Sequence, residues 1–164
     1  MSDLLLVATI GVYGFTEESF FGRLTEAGAD LLCDVRRRRG LRGATYAFAN
    51  STRLQQGLRD RGIRYLHLKH LAPSERTRDL QKQIDKQQAV VKRERSTLSS
   101  AFVQAYTREC LDSLDIDDLV SQFGRDSRVV VFLCVERQPA ACHRSLLARR
   151  IAEHLNVDLK HITP

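Results

Sequence analysis

Short apolar runs alternate along the chain with stretches whose apolar residues recur at helical spacing, and turn residues punctuate almost every switch. Leu4 to Ile10, apolar but for Thr9, predicts a buried strand. Gly11 and Gly14 form a tight turn. Thr16 then caps a helix with Glu17 and Glu18 in its first turn and Phe20, Leu24 and Ala27 on one face, ended by Gly28. Leu31 to Val35 reads as a second strand. Asn50 or Ser51 starts a helix with Leu54 and Leu58 turned inward, Gly62 ends it, and Ile63 to Leu68 makes a third strand.

After Pro73 the pattern changes. Asp79 to Arg95 is rich in Gln, Lys and Arg, with a thin apolar stripe of Leu80, Ile84 and Val91, which predicts an exposed helix packed on one edge. Ala101 to Leu111 and Ile116 to Phe123 add helical pattern. Val129 to Val135 is an unbroken apolar run, as expected of a central parallel strand buried on both faces. Pro139 to His154 predicts a helix with Leu147, Ile151 and Leu155 on its core side, and Asp158 to Ile162 a final strand.

Strands alternating with helices imply right-handed crossovers. The expected fold is α/β, a three-layer sandwich whose mostly parallel central sheet is flanked by helices. Residues 1–164 form a single domain, with 73–124 a helical insertion at its edge. Such sheets bind ligands at the carboxyl ends of their strands. That rule gathers Gly11 to Phe15, Asp34 to Gly43 and Cys134 to Arg144 on one rim.

At 164 residues and 43% hydrophobic content the chain can enclose one ordinary core. Its net charge of +6 is uneven: residues 1–108 hold nineteen Lys/Arg against eleven Asp/Glu, whereas 109–164 hold seven against nine. This permits a polyanionic partner without requiring one. No stretch approaches the roughly 18 apolar residues of a membrane span, and Leu4 to Ala8 lacks a basic leader, so a cytoplasmic protein with no membrane partner is expected. Cys33, Cys110, Cys134 and Cys142 have no small-secreted-domain context and are expected reduced. Zinc is disfavoured because neighbours on a helix, Cys142 and His143, would project about 100° apart. No metal and no cofactor are expected, and no phosphate-cradling, dinucleotide or nucleophile-elbow fingerprint is present.

The chemistry concentrates in residues 134–150. Cys134 and Glu136 stand two apart and would share a strand face, which raises the thiol's pKa and favours an inert buried Cys134. Cys142 is the better nucleophile, since a helix N-terminus and Arg144 both favour its thiolate; His143 can act as acid or base at neutral pH, or tie the loop to the sheet. Arg144 is expected to bind a ligand or pair with Glu136. On the second strand's exit, Asp34 can orient Arg36, and Arg37, Arg38, Arg39 and Arg42 form either a solvated basic loop or a nucleic-acid-binding, phosphate-gripping one. Gly11 and Tyr13 lie on the same rim, where a tyrosine can stack a base.

Thr9-Ile10-Gly11, Asp34-Val35-Arg36, Gly62 to Leu68 and, above all, Leu133-Cys134-Val135-Glu136 running through Pro139 to Cys142-His143-Arg144-Ser145-Leu146-Leu147-Ala148 resemble the domain of unknown function 488 family in order and over most of the chain. The resemblance implies an α/β three-layer fold with a rim built from the aspartate-arginine and the Cys/Glu/Cys-His-Arg segments, and no established activity. Where relatives often carry a His-Ser pair after the first strand's glycine, this chain has Val12, Tyr13 and Gly14.

Three functions follow as expectations. The first is binding of a phosphate-bearing ligand, nucleic acid or nucleotide, by Arg36 and Arg144, with Arg37 to Arg42, Lys82, Lys86, Lys92, Arg93 and Arg95 extending the field. The second is rhodanese-like thiol chemistry at Cys134 or Cys142. The third is a protein-interaction module that docks a partner, or a second copy as a homo-oligomer, through the 79–95 helix.

Overall fold

A computed structural model describes residues 3–164. Five strands, β1 (Leu6–Ile10), β2 (Leu31–Asp34), β3 (Arg64–His67), β4 (Val129–Leu133) and β5 (Asp158–Ile162), form one all-parallel sheet in the order β3-β2-β4-β1-β5. The central trio β2, β4 and β1 is the apolar one, as burial on both faces demands. Helices α1 (Glu17–Glu26), α2 (Ser51–Arg59), α3 (Glu75–Gln87), α4 (Ser100–Tyr106), α5 (Ile116–Ser121) and α6 (His143–Leu155) complete the α/β sandwich. Among the described residues no helix is long and apolar enough to cross a membrane.

Local chemistry sets the element ends. Thr16 caps α1 through a reciprocal pair with Ser19, and Phe20, Phe21 and Leu24 enter the core. Asn50 precedes α2 but makes no cap bond; its Oδ1 instead accepts the Leu41 N–H at 2.6 Å and pins the basic loop. Asn156 ends α6 in the left-handed conformation, which its short polar side chain tolerates.

Two helix expectations are corrected. The 79–95 helix is α3, Glu75–Gln87, and its inward face is polar: Thr77, Gln81 and Asp85 are buried at four-residue spacing. The chain after it leaves the helix and folds back across the rim, where the Ser99 N–H bonds Gln81 Oε1 and the Leu98 N–H bonds the Ala140 carbonyl. The 139–154 helix starts at His143, because residues 139–141 form a separate tight turn and Cys142 is extended at φ −140°, ψ 142°. Residues 73–124 also reach the core, with Phe102, Tyr106, Leu111 and Phe123 in the same apolar cluster as the sheet.

Candidate functional site

The rim at the carboxyl ends of β2 and β4 encloses a cavity of about 260 Å³. Its wall combines Arg36, Arg37 and Arg38 from the loop after β2, Arg78, Gln81, Lys82 and Asp85 from α3, Lys92 and Arg95 from the returning chain, and Cys134, Glu136, Cys142 and His143 after β4. Three segments distant in sequence therefore build one site, and the α3 segment roofs it.

At its floor two thiols meet one imidazole. His143 Nδ1 lies 3.9 Å from Cys134 Sγ and 3.8 Å from Cys142 Sγ, while Nε2 donates to the Val35 carbonyl at 3.1 Å. A carbonyl only accepts, so Nε2 carries a proton and Nδ1 is the nitrogen that faces the sulfurs; burial opposes a charged ring, but Cys142 and Glu136 outweigh it and raise the His143 pKa above the ordinary 6.5. The expectation that Cys142 and His143 diverge by a helical step is corrected: Cys142 is extended and lies outside the helix, and its Sγ sits 3.8 Å from His143 Nδ1. Cys134 lies just beyond the end of β4 and its sulfur joins Cys142 in one buried cluster.

Burial alone would push the Cys142 thiol up. The hydrogen bond from Cys134 and the charges of His143 and Arg144 outweigh it and hold Cys142 well below the ordinary thiol value. Cys134 moves the opposite way, raised by its bond to Cys142 and then by burial. Glu136 is raised by burial and by Cys142, against the pull of Lys92 and Arg95.

The carboxylate of Glu136 is not paired with Arg144. It binds Arg95 Nη2 at 3.1 Å and Lys92 Nζ at 3.5 Å, and Arg95 Nη1 reaches Asp85 at 2.7 Å. Arg95 also donates to the Ala141 carbonyl, so one guanidinium clamps α3, the returning chain and the turn before α6 together. Arg144 is wholly buried, donates to the Glu136 backbone carbonyl at 2.7 Å and lies outside the cavity wall. It anchors the thiol-bearing loop through that carbonyl and does not line this cavity. Gly11 has a structural reason too: a Cβ there would collide with that same Glu136 carbonyl.

Asp34 is buried and its carboxylate is fully engaged. Oδ1 accepts the Arg36 backbone N–H and Nε, and Oδ2 accepts Arg36 Nη2 at 2.8 Å and the Tyr65 hydroxyl at 2.8 Å. Asp34 thus positions Arg36, which lines the cavity with Nη1 buried and unpartnered. Arg37 and Arg38 line the wall as well. Arg39 turns to the Tyr65 hydroxyl at 3.3 Å and Arg42 is exposed, both away from the cavity. Tyr13 packs against Tyr46 and lies under the Arg93 guanidinium, also outside the wall.

Arg78, Gln81 and Asp85 were not legible as site residues. The only trace of them is a Gln-Asp pair at i,i+4 on a helix short of apolar residues.

An all-parallel α/β sheet with a cationic, thiol-floored cavity at its carboxyl rim defines the class of this molecule. The family model described as "Domain of unknown function DUF488" matches residues 16–151, and the chain belongs to that family. No curated protein and no solved structure matches it.

Proposed function

We propose that the rim cavity binds a phosphate-bearing ligand, a nucleotide or the end of a nucleic acid strand. The observation that carries this reading is the charge of the wall: Arg36, Arg37, Arg38, Arg78, Lys82, Lys92 and Arg95 line it against Asp85 and Glu136, and the positive surplus stands although Asp34, Glu75 and Asp79 pair with Arg36, Arg38 and Lys82 from outside the wall. Guanidinium groups grip phosphate oxygens in pairs, and a cleft lined by one sign of charge concentrates the opposite sign. The leftover Nη1 donor of Arg36 supports the same reading, because Asp34 occupies Nε and Nη2 and leaves that one for an incoming oxygen. At about 260 Å³ the cavity falls just under the roughly 300–1,000 Å³ of ordinary ligand sites, which suits one nucleotide unit rather than a duplex. A strand would enter by its end or with one nucleotide splayed out.

Fluorescence anisotropy with a 5′-phosphorylated single-stranded oligonucleotide, competed by a nucleoside monophosphate and by inorganic phosphate, tests this. Binding should weaken as salt rises, with a slope that counts the neutralised phosphates. Arg37→Ala and Arg78→Ala should each lower affinity, and Arg42→Ala should leave binding in the cavity unchanged. No binding by any of the three probes at low salt, or full affinity in the Arg37→Ala/Arg78→Ala double variant, overturns the reading.

A second reading is thiol chemistry of the rhodanese kind, favoured by the Cys142 sulfur on the cavity floor 3.8 Å from an imidazole nitrogen. Alkylation by iodoacetamide at several pH values, mapped by mass spectrometry, decides it. Selective modification of Cys142 supports a nucleophile, and equal sluggish labelling of Cys134 and Cys142 removes it.

A further inference from the structure

We infer that Cys134, Cys142 and His143 form a binding site for a thiophilic d10 cation of the Zn2+ class, a site that goes beyond the anion-binding reading and does not depend on it. The three donor atoms all lie within 4.8 Å of one another and all three residues are buried. A tetrahedral zinc centre with Zn–S of about 2.3 Å and Zn–N of about 2.0–2.1 Å places its sulfurs roughly 3.6 Å from the nitrogen and roughly 3.8 Å apart. The observed N···S separations of 3.8 and 3.9 Å already approach that spacing. The two sulfurs, within 4.8 Å of each other, would need to close by at most about 1 Å to complete the triangle around an ion.

Three further observations point to a metal rather than to an ordinary hydrogen-bonded thiol pair. First, two soft sulfur donors and one imidazole nitrogen converge on a common buried point, which is the complement of a thiophilic cation. Second, His143 Nε2 is fixed by the Val35 carbonyl, the outer support that metal-bound imidazoles use to hold their tautomer and ring orientation. Third, Glu136 Oε2 is buried with no hydrogen-bond partner in the same cavity wall, a hard oxygen donor in reserve beside the soft set.

The cationic surroundings fit this charge balance. Two thiolates with a dication are neutral overall, and a carboxylate as fourth donor makes the centre anionic. Arg36, Lys92 and Arg95 would then face a negative cluster, and their field lowers the cost of deprotonating both thiols, which metal binding requires. The three donors leave a fourth position for Glu136 or for an oxygen from the cavity, where a water or a phosphate would meet the ion.

The test uses the full chain, reduced, with excess thiol removed. Co2+ is titrated as an optical probe, and Zn2+ affinity is read by competition with a chromophoric chelator. One equivalent of Co2+ should give a thiolate-to-cobalt charge-transfer band with tetrahedral d–d intensity, displaced by Zn2+. Cys134→Ser, Cys142→Ser and His143→Gln should each weaken Zn2+ at least tenfold, and Cys110→Ala should leave it unchanged. Because buried substitutions can disturb folding, the wild-type chain supplies a second readout: one equivalent of Zn2+ should protect Cys134 and Cys142 from alkylation. A wild-type chain without the charge-transfer band, labelling of the two thiols that Zn2+ does not alter, or an undiminished band in the folded Cys134→Ser/Cys142→Ser double variant would overturn the inference. Each of these results leaves the phosphate-probe measurements on the arginine variants to stand or fall on their own.

Discussion

Arg95 donates from Nη2 to the carboxylate of Glu136 at 3.1 Å, joining the chain that leaves α3 to the loop that follows β4, and it does so from a side chain only 11% exposed. The same guanidinium holds Asp85 from its other nitrogen, so two buried acids share one cation. Removing one partner of such an arrangement leaves the rest charged and desolvated. Arg95→Ala should therefore cost about 3–5 kcal/mol in urea unfolding. Adding Asp85→Asn and Glu136→Gln should recover much of the loss, because neutral amides do not need the cation. If Arg95→Ala unfolds at the wild-type urea midpoint, the clamp does not hold the roof in place.

Gly11 and Arg144 approach the Glu136 carbonyl from two sides, one by close backbone contact and one by a hydrogen bond of 2.7 Å. Gly11→Ala forces a methyl group into that oxygen. Overpacking of this kind costs about 1–3 kcal/mol, and here the strain falls on the loop that carries Cys134. The effect should not add to that of Arg144→Lys, since both act through one carbonyl; a double-mutant cycle by urea denaturation would read the coupling. Additive losses would show that the two contacts are independent.

The architecture was legible because the strands of this sheet are buried on both faces and so read as plain apolar runs, as at Val129–Leu133, and because Thr16 carries a capping signal. Cys142, His143 and Asp34 were legible as chemistry by residue type. Partnership was not. Arg144 and Glu136 lie eight residues apart and carry opposite charge, yet a backbone carbonyl takes the arginine and the carboxylate turns to Arg95, forty-one residues away. The roof of the site leaves little mark in the sequence for a related reason: the inward face of α3 is Thr77, Gln81 and Asp85, so its apolar periodicity is confined to a thin flank. Cys142 stands extended outside the helix that starts at His143, a break that residue spacing does not reveal.

Arg144 separates anchoring from ligand contact. It is fully buried and outside the cavity wall, so Arg144→Ala should lose about 2–5 kcal/mol through the void and the unpaired Glu136 carbonyl. Arg144→Lys keeps the charge but lacks the planar fork, and it too should lower the urea midpoint. In the folded lysine variant the salt dependence of phosphate-probe binding should match that of the wild type. A reduced slope would place Arg144 in contact with the ligand after all.

His161 gives the fold a pH dependence of predictable sign. It lies on β5 with Nδ1 2.7 Å from Thr9 Oγ1, and burial, followed by the charges of Arg144 and Arg149, lowers its pKa from the ordinary 6.5. The folded state therefore resists the proton that the unfolded chain accepts. Well above pH 6.5 both states are neutral at this position and its contribution to stability is fully present. As pH falls below 6.5 the unfolded state binds more protons than the native one, and that contribution is lost progressively down to the lower native pKa. Urea midpoints of the wild type should fall between pH 7 and pH 5 more steeply than those of His161→Gln, which keeps a polar side chain for Thr9 and has nothing to titrate. Carboxylate protonation affects both proteins alike, so the difference between the two curves isolates His161. Parallel curves across that range would mean that its proton affinity is the same folded and unfolded.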